Sequence, residues 1–232
     1  MCCDSSPARA GPPERRGRAL AVFDLDGTLS RHDTLAPFLL ACLGRRPWRW
    51  PRLLLALPAA IRYLFEPDRG ALKGALLHAA LGGLDREALQ AAAARFVDRL
   101  VRGGIYRDAR RALEAHRSRG ERLLLLSAST DLYVPQIARR LGFDVCICSQ
   151  VAWRADGRLD GRLAAPNCRG EEKRRRLAEL MEQETPARVY AYGNSAADLA
   201  HLALAQEAYL VNGPRRLSQA AAAHVQRLRW RD

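Results

Sequence analysis

A short apolar run that ends in two aspartates constrains this chain more than any other stretch. Residues 19–23 have the length and character of a buried strand, and Asp24, Asp26 and Gly27 follow closely. Side chains two residues apart point to the same side of an extended chain, so Asp24 and Asp26 are predicted to share a face. Two like charges at that distance need a cation or a shared proton. The alternative is an ordinary strand end at which Asp-Gly begins a turn.

Three later stretches carry polar residues at similar positions. They are the leucine run before Ser127, the helix that begins near Lys173, and the strand followed by Asn194 and Asp198. From residue 105 onward helical and strand patterns alternate, which predicts a parallel sheet covered by helices on both faces. The carboxyl ends of such strands share one edge of the sheet, so we expect Asp24, Ser127 and Asn194 to meet in one crevice.

Asp24-Leu25-Asp26-Gly27-Thr28-Leu29 resembles the first signature of the haloacid dehalogenase-like (HAD) phosphatases. The stretches around Ser127, Lys173 and 189–198 resemble that family's other signatures and occur in the same order, so the resemblance covers residues 19–198. It implies an α/β fold, in which a doubly wound parallel sheet forms a Rossmann-like core and a small helical cap is inserted after the first strand.

This resemblance also divides the chain. Residues 19–32 and 105–232 are predicted to form the phosphatase core, and residues 33–104, which show only helical patterns and turns, are predicted to form the cap. Residues 1–18 are rich in Pro, Gly, Ser and Arg and are predicted to be a disordered tail. The last predicted elements are a strand at 208–211 and a closing helix that begins at Pro214.

The family's chemistry gives each signature residue an expected role. Asp24 would be the nucleophile that forms an aspartyl-phosphate, and Asp26 would act as general acid and base. Ser127 and Ala128 would bind the phosphoryl group, and Lys173 would pair with that group and with the nucleophile. Taken alone, Ser127 is a polar strand end and Lys173 a solvated helix residue. An ammonium, however, is compact enough to lie between two oxyanions.

The resemblance implies Mg²⁺ as the cofactor. Its predicted ligands are Asp24, the backbone carbonyl of Asp26, Asn194 and Asp198. Asn194 departs from the family's commonest form, which has an aspartate at that position. An amide oxygen can still bind a metal, but one negative charge is lost, so weaker Mg²⁺ binding is expected. The substitution keeps open a second function, that of a catalytically weak HAD-fold binding protein.

The signatures do not name the substrate. The cap and residues 167–173 look most like the branch, subfamily IB, that holds phosphoserine phosphatases and a bacterial phosphatidylglycerophosphatase. The predicted substrate is therefore a phosphomonoester, either a phospholipid head group such as phosphatidylglycerophosphate or a small phosphoserine-like ester. Asp33 stands where phosphoserine phosphatases have a carboxylate that meets the substrate amine. A helix-capping role for Asp33 is the alternative.

One cap segment combines basic and apolar residues. Residues 45–52 include four arginines and two tryptophans, and residues 53–65 carry a single charge, Arg62. A helix over 53–65 would span about 20 Å, short of the ~30 Å hydrocarbon core, so a membrane-crossing helix is not expected. Two interpretations stay open: a helix at the interface of an anionic membrane, and a cap helix packed on its neighbours with its arginines in water.

The net charge of +13 favours anionic partners, either phosphate esters or anionic lipid. Binding to nucleic acid is not expected, because no nucleic-acid motif accompanies the charge. Cys146 and Cys148 are predicted to be buried free thiols, which suits a reducing compartment, and Cys2 and Cys3 are interpreted as part of the tail rather than as lipid attachment sites. We expect a cytoplasmic protein that, under the interfacial interpretation, is peripheral at the inner membrane face.

Overall fold

A six-stranded parallel sheet forms the centre of the protein, whose computed structural model describes residues 17–232. The strands are β1 (Leu20–Phe23), β2 (Arg122–Thr130), β3 (Val145–Ser149), β4 (Val151–Trp153), β5 (Leu159–Leu163), β6 (Val189–Gly193), β7 (Glu207–Val211) and β8 (Val225–Leu228). The sheet has the order β3-β2-β1-β6-β7-β8, and every neighbouring pair is parallel. Strands β4 and β5 form a separate antiparallel hairpin.

Helices cover both faces of this sheet. In chain order the helices are α1 (Leu35–Leu43), α2 (Leu57–Phe65), α3 (Arg69–Leu81), α4 (Arg86–Gly103), α5 (Arg107–Ser118), α6 (Val134–Leu141), α7 (Glu171–Glu184), α8 (Leu199–Leu202) and α9 (Arg215–Ala220), of which α1 to α4 belong to the cap. Residues of α5 and α6 belong to the hydrophobic cluster on one face, and residues of α7 and α8 to the cluster on the other. The predicted doubly wound α/β fold is therefore confirmed.

Strand β1 lies at the middle of the sheet and is fully buried. Ala21 and Phe23 face the cluster that includes α5 and α6, whereas Leu20 and Val22 face Leu177 of α7 and its neighbours. Because side chains alternate along a strand, this apolar run supplies both halves of the core. It also brings the chain that follows Phe23 to the carboxyl edge of the sheet, between β2 and β6.

The end of the chain differs from its prediction. The strand predicted at 208–211 exists as β7, but it is not the last strand, because β8 pairs with it in parallel. The closing helix is only the six-residue α9. Strand β8 reads Val-Gln-Arg-Leu and lies half-exposed at the sheet edge, so its polar residues concealed it. Strand β2 also extends past its predicted end at Ser127, to Thr130.

Most of the predicted tail, including Cys2 and Cys3, lies outside the described residues. Gly17 and Arg18 are described, and for them the prediction of disorder is wrong. Gly17 forms a parallel bridge with Pro186, and the Arg18 Nε donates to the Gly120 carbonyl oxygen.

The cap consists of α1 to α4 and a 3₁₀ helix at Pro47–Ala56. The rings of Phe38 and Phe96 lie 4.7 and 5.4 Å from that of Tyr133, so cap and core share one aromatic cluster. On the other side, α3 packs against β5 at Gly161, whose φ is +98°. A Cβ at Gly161 would lie 2.3 Å from the Cα of His78, so only glycine permits this backbone contact. The cap is thus held from two sides.

Residues 53–65 do not form one helix. The 3₁₀ helix, which contains Pro51, continues to Ala56, and α2 begins at Leu57 with Pro58 in its first turn. Within residues 17–232 no helix combines the length and apolarity needed to cross a bilayer. Of the two cysteines predicted to be buried thiols, Cys148 is buried and Cys146 is half-buried, and both are free.

Candidate active site

A cavity of about 690 Å³ opens at the carboxyl edge of the sheet. Its wall contains residues that follow β1 and β6, residues near the end of β2, and residues of the cap helices α2 and α3. The predicted site residues that line it are Asp24, Asp26, Asp33, Ala128, Lys173, Asn194 and Asp198. The convergence expected from the strand order is therefore present for Asp24 and Asn194, whereas Ser127 lies behind the cavity wall.

Asp24 follows β1 directly and is only 5% exposed. Its N–H donates to the Tyr192 carbonyl at 3.0 Å, which continues the β1–β6 pairing by one residue. Its Oδ1 accepts from the Lys173 Nζ at 2.5 Å and its Oδ2 from the Thr28 Oγ1 at 3.0 Å. Burial, together with the negative charge of Asp198, raises the pKa of Asp24 to about 7 despite Lys173. The carboxyl group is held in place, and a further cation would favour its charged form.

Asp26 is held by donors from both cap and core. Its Oδ1 accepts from the Thr34 N–H at 2.7 Å and the Thr34 Oγ1 at 2.6 Å, and its Oδ2 accepts from the Ser129 Oγ at 2.6 Å. The Thr34 hydroxyl shares a further hydrogen bond with the hydroxyl of buried Tyr133, at 3.0 Å. Burial raises the pKa of Asp26 against these hydrogen bonds. A carboxyl group with a raised pKa can hold a proton for transfer. Neither Thr34 nor Ser129 was predicted to contact Asp26.

Lys173 lies between two carboxylates at the first turn of α7. Its Nζ donates to the Asp24 Oδ1 and, at 2.7 Å, to the Asp198 Oδ1, and its side chain is 2% exposed. Burial would lower the pKa of Lys173, but the two carboxylates hold it above its ordinary value. Burial would likewise raise the pKa of Asp198, but Lys173 holds it well below the usual range. Lys173 is therefore a buried cation, not the solvated helix residue of the alternative interpretation.

The Asn194 side chain lies against Gly27, directly after Asp26. A Cβ at Gly27 would lie 2.0 Å from the Asn194 Nδ2, and Gly27 also has a φ of +78°. Both the backbone conformation and the close contact therefore require glycine directly after Asp26. The Asn194 N–H donates to the Asp198 Oδ2 at 3.2 Å, and that oxygen also accepts from the Ser195 N–H and Oγ.

The predicted phosphoryl-binding pair is divided by the cavity wall. Ala128 lines the cavity, whereas Ser127 is fully buried and is not among the lining residues. The Ser127 Oγ accepts a hydrogen bond from the Ser129 N–H at 3.0 Å, so it helps to shape the end of β2, where the pairing with β3 is irregular and Ala128 and Ser129 lie. The phosphoryl-binding roles of Ser127 and Ala128 stay predictions.

The sequence pattern of the haloacid dehalogenase-like hydrolases matches residues 21–203. The chain belongs to this family. The protein CicA of Caulobacter vibrioides is 35% identical over 188 residues, which cover 81% of this chain and 83% of CicA. The fold also resembles a Bordetella pertussis protein of unknown function, with a TM-score of 0.75, 24% identity and 91% and 98% of the two chains covered.

A third similar structure is a phospho-aspartyl intermediate analogue of phosphoserine phosphatase. Its TM-score is 0.61 and its identity 18%, with 91% of this chain and 93% of that chain covered. The family match confirms that the chain is a HAD-family hydrolase, and these structures confirm the predicted HAD fold.

One cavity residue of this HAD protein was missed by the sequence analysis. Lys73 of α3 lines the cavity, and its Nζ donates to the Ala128 carbonyl at 2.5 Å and the Asn167 Oδ1 at 2.6 Å. Burial lowers the pKa of Lys73 to about 8, against the attraction of Asp26. Lys73 and Lys173 are the chain's only lysines, beside 36 arginines, and that scarcity was the signal available in the sequence.

Asp33 is exposed and lines the cavity. Its Oδ1 accepts from the Leu35 N–H at 2.9 Å, but the N-cap position of α1 is Thr34, so Asp33 supports the start of the helix from the residue before the cap. The predicted contact between Asp33 and a substrate amine stays a prediction.

The donor set of the HAD site suits Mg²⁺, which prefers hard oxygen ligands. Asp24 offers a carboxylate, Asn194 an amide oxygen and Asp26 a backbone carbonyl. In the described part of the chain, no three His, Cys, Asp or Glu side chains form a group that could hold a metal, so a metal here needs those neutral oxygens. The Asp198 Oδ2 already accepts three hydrogen bonds, whereas its Oδ1 accepts only one, from Lys173, so Oδ1 is the oxygen that could also bind the ion.

Proposed function

We propose that this HAD hydrolase is a phosphatase that hydrolyses a phosphomonoester in two steps, through an aspartyl-phosphate formed on Asp24. The observation that carries the proposal is the pair of aspartates on one cavity wall in two different settings. Asp24 is buried against the ammonium of Lys173, whereas Asp26 is surrounded by the hydroxyls of Thr34 and Ser129. Burial raises the pKa of both carboxyl groups, but only Asp24 has a cation beside it, so Lys173 and a bound metal would favour its charged form while Asp26 can hold a proton.

In the first step a carboxylate oxygen of Asp24 attacks phosphorus, and the bond between phosphorus and the leaving oxygen breaks. Asp26 gives its proton to that oxygen, so the alcohol leaves as a neutral group. The Lys173 ammonium stabilises the charge on the phosphoryl oxygens. Thr28, whose hydroxyl donates to Asp24, keeps the other carboxylate oxygen turned away from the attack.

In the second step water attacks the phosphorus of the aspartyl-phosphate. Asp26, now a carboxylate, accepts a proton from that water, and the acyl-phosphate bond breaks to release inorganic phosphate. Asp24 returns to its carboxylate form. Asp26 thus donates one proton and recovers one in each turnover, and the cap-borne Thr34 and core-borne Ser129 hold it in place for both transfers.

We assign Mg²⁺ to the oxygens of Asp24, Asn194 and the Asp26 backbone, with Asp198 as the fourth predicted ligand. When bound, the ion would neutralise phosphoryl charge and stabilise the carboxylate form of Asp24. With Asn194 as an amide, this donor set carries one negative charge fewer than an aspartate would give it, so the proposed site binds Mg²⁺ more weakly.

We propose a phosphorylated phospholipid head group, such as that of phosphatidylglycerophosphate, as the substrate. The cavity wall combines the apolar side chains of Leu35, Leu72 and Leu76 with the cations of Arg31, Arg69, Lys73 and Arg169. Apolar contacts suit the lipid, and several cations suit a molecule with an anionic group beyond the reacting phosphate. A small phosphoserine-like ester is the second candidate, because Asp33 lies at the cavity wall where an amine could meet it.

Trapping of the covalent intermediate tests this function. The full-length protein would be mixed with Mg²⁺ and an aryl phosphate, quenched in acid, and analysed by mass spectrometry. We expect phosphate on the peptide that contains Asp24 and loss of that phosphate with hydroxylamine. Phosphate on another residue, or turnover without any acyl-phosphate, would contradict the mechanism. Absence of turnover with every ester would instead favour the catalytically weak binding protein that Asn194 keeps open.

A substrate panel then separates the two candidates. Phosphatidylglycerophosphate in mixed micelles and phosphoserine would be compared at equal Mg²⁺ by kcat/KM. We expect the lipid to be preferred, and a preference for phosphoserine would move the assignment to the small ester.

A further inference from the structure

Exposed apolar side chains are concentrated in one part of the cap. Within residues 17–232 the large hydrophobic side chains that are exposed all belong to the cap, and all but Leu40 lie between residues 48 and 65. We call six of these side chains the cap ridge: Trp48, Leu54, Leu57, Ile61, Leu64 and Phe65. Phe65 is 81% exposed and Leu64 78%. A contiguous apolar surface of this kind marks an interaction site more often than isolated exposed residues do.

The ridge is not the packed cap helix of the second interpretation. Helix α2, which carries four of the six ridge residues, has no buried residue. The 3₁₀ helix before it buries only Ala56. Among the described residues, no element covers these side chains, so the ridge is available to an external partner.

Charge indicates which partner fits. Residues 45–65 contain five arginines and no acidic residue. Arg45 and Arg62 are exposed and make no ion pair among the described residues. The next acidic residues along the chain are Glu66 and Asp68. The Asp68 carboxylate accepts hydrogen bonds as the N-cap of α3. Exposed leucines, tryptophan and arginines without acids match the interface of an anionic bilayer, where apolar groups enter the acyl region and arginines meet head groups.

Two of the arginines serve the cap itself. The Arg49 guanidinium donates to the carbonyls of Ala80 and Gly82, at 3.0 and 2.5 Å. The Arg52 guanidinium donates to Ala79 and Gly82, each at 3.3 Å. These carbonyls lie at the C-terminal end of α3, where a helix leaves carbonyls unpaired. Arg49 and Arg52 therefore fix the 3₁₀ helix to α3.

The ridge is continuous with the catalytic cavity. Tyr63 lines the cavity, and its neighbours in α2, Leu64 and Phe65, belong to the ridge. Leu72 and Leu76 of the adjacent α3 extend the apolar wall toward Asp24. A surface that lies on a bilayer at the ridge would thus place the cavity mouth beside the lipid head groups.

We propose that the cap ridge docks on an anionic lipid bilayer and brings the cavity to its phosphate-ester substrate at that surface. The choice of a lipid substrate rests on the proposed function, but docking itself needs neither turnover nor an intact nucleophile. Asp24→Asn should therefore bind vesicles as the wild type does, which keeps a failure of docking distinct from a failure of catalysis.

Vesicle co-sedimentation of the full-length protein tests the proposal. We expect binding to vesicles that contain phosphatidylglycerol, weak binding to pure phosphatidylcholine, and loss of binding in high salt. Leu64→Ser with Phe65→Ser should lower the fraction bound by about tenfold or more, because the apolar half of the attachment is removed. Both residues are exposed and outside the cavity wall, so the melting temperature and the rate with a soluble aryl phosphate should not change.

A matched pair of charge variants separates the ridge from general basic attraction. Arg45→Gln with Arg62→Gln removes two exposed arginines beside the ridge, and Arg215→Gln with Arg216→Gln removes two exposed arginines from α9 of the core. The ridge pair should lose about tenfold in binding to the anionic vesicles and the core pair far less. Equal losses, or vesicle binding by the serine variant at the wild-type level, would overturn the proposal. A dimer that the serine variant dissociates, without vesicle binding by the wild type, would also overturn it.

Discussion

The floor of the candidate active-site cavity and the cap ridge differ in which side chains they bury. The floor buries charged groups, and the ridge exposes apolar ones. At the floor, the Lys173 ammonium lies between the carboxylates of Asp24 and Asp198, and all three groups are buried. On the ridge, leucines and a phenylalanine face outward beside arginines that have no acidic partner among the described residues. Buried charges must be paired, so the floor has its geometry before any ligand arrives. The ridge is completed only by a partner, so its effect should be visible only at a surface.

Asp24→Asn should have the largest effect on the cavity and none on the ridge. The variant keeps the side chain's volume and removes the nucleophilic charge, so we expect kcat with an aryl phosphate to fall by at least about a thousandfold. Vesicle binding and the circular dichroism spectrum should be unchanged. More than a few percent of the wild-type rate in a clean preparation would contradict the covalent mechanism.

Asp26→Asn tests the second aspartate at the floor. Loss of a general acid typically lowers the rate by about 10² to 10⁴. The loss should grow as the leaving group becomes a poorer one, because only poor leaving groups need the proton. A series of phosphate esters with different leaving-group pKa values measures this slope, and an equal loss along the series would exclude a proton-donor role.

Arg49→Gln with Arg52→Gln separates the structural arginines from those beside the ridge. The variant breaks four side-chain hydrogen bonds to carbonyls around the end of α3. We expect a loss of about 2 kcal/mol in the unfolding free energy, measured by urea denaturation. The Arg45 and Arg62 variant is the control and should be as stable as the wild type. Unchanged stability of the Arg49 and Arg52 variant would mean that these contacts do not hold the cap.

Asn194→Asp restores a negative charge at the proposed Mg²⁺ site. The Mg²⁺ concentration for half-maximal rate should fall by up to about tenfold, because affinity in oxygen sites follows ligand charge. A titration of activity against free Mg²⁺ in a metal buffer measures the change. A metal requirement that stays constant or rises would remove Asn194 from the ligand set.

The smallest expected effect concerns Lys73. Burial lowers the pKa of Lys73 from its ordinary value of 10.5 to about 8. Between these values the unfolded chain keeps the proton that the folded protein has lost. The unfolded state therefore binds more protons, and the contribution of Lys73 to the unfolding free energy rises with pH across this window. Urea denaturation at several pH values should show a shallower rise for Lys73→Met than for the wild type. An identical slope would place the ammonium in solvent.

The two regions also differed in how far the sequence predicted them. The floor was predicted well, because an apolar strand that ends in Asp24 fixes both the sheet and the edge at which the site lies. Thr34 and Ser129 were not predicted, because their contacts with Asp26 depend on the path of the chain from β1 into the cap and on the last residues of β2. Local sequence carries no record of such long-range contacts.

The ridge was predicted only as a choice between two interpretations. The composition showed arginines and apolar residues together, but it could not show which arginines donate hydrogen bonds within the cap. Arg49 and Arg52 look like Arg45 in the sequence, and only the position of the α3 carbonyls distinguishes them. Strand β8 was missed for a related reason, since an edge strand with Gln226 and Arg227 has no apolar signature.

The contact between Gly161 and His78 has a consequence for the exchange of molecules with the cavity. It fixes α3 to the hairpin of β4 and β5, and Lys73 fixes the same helix to Ala128 near the end of β2. Helix α2 has no buried residue, so it is the part of the cap whose local opening needs the least free energy. Substrate and product should then reach and leave Asp24 and Asp26 past α2, while α3 stays in place. Amide hydrogen exchange should be fast in α2 and slow in α3. A substitution that changes the exchange rate of α2 should change the rate of phosphate release in the same direction.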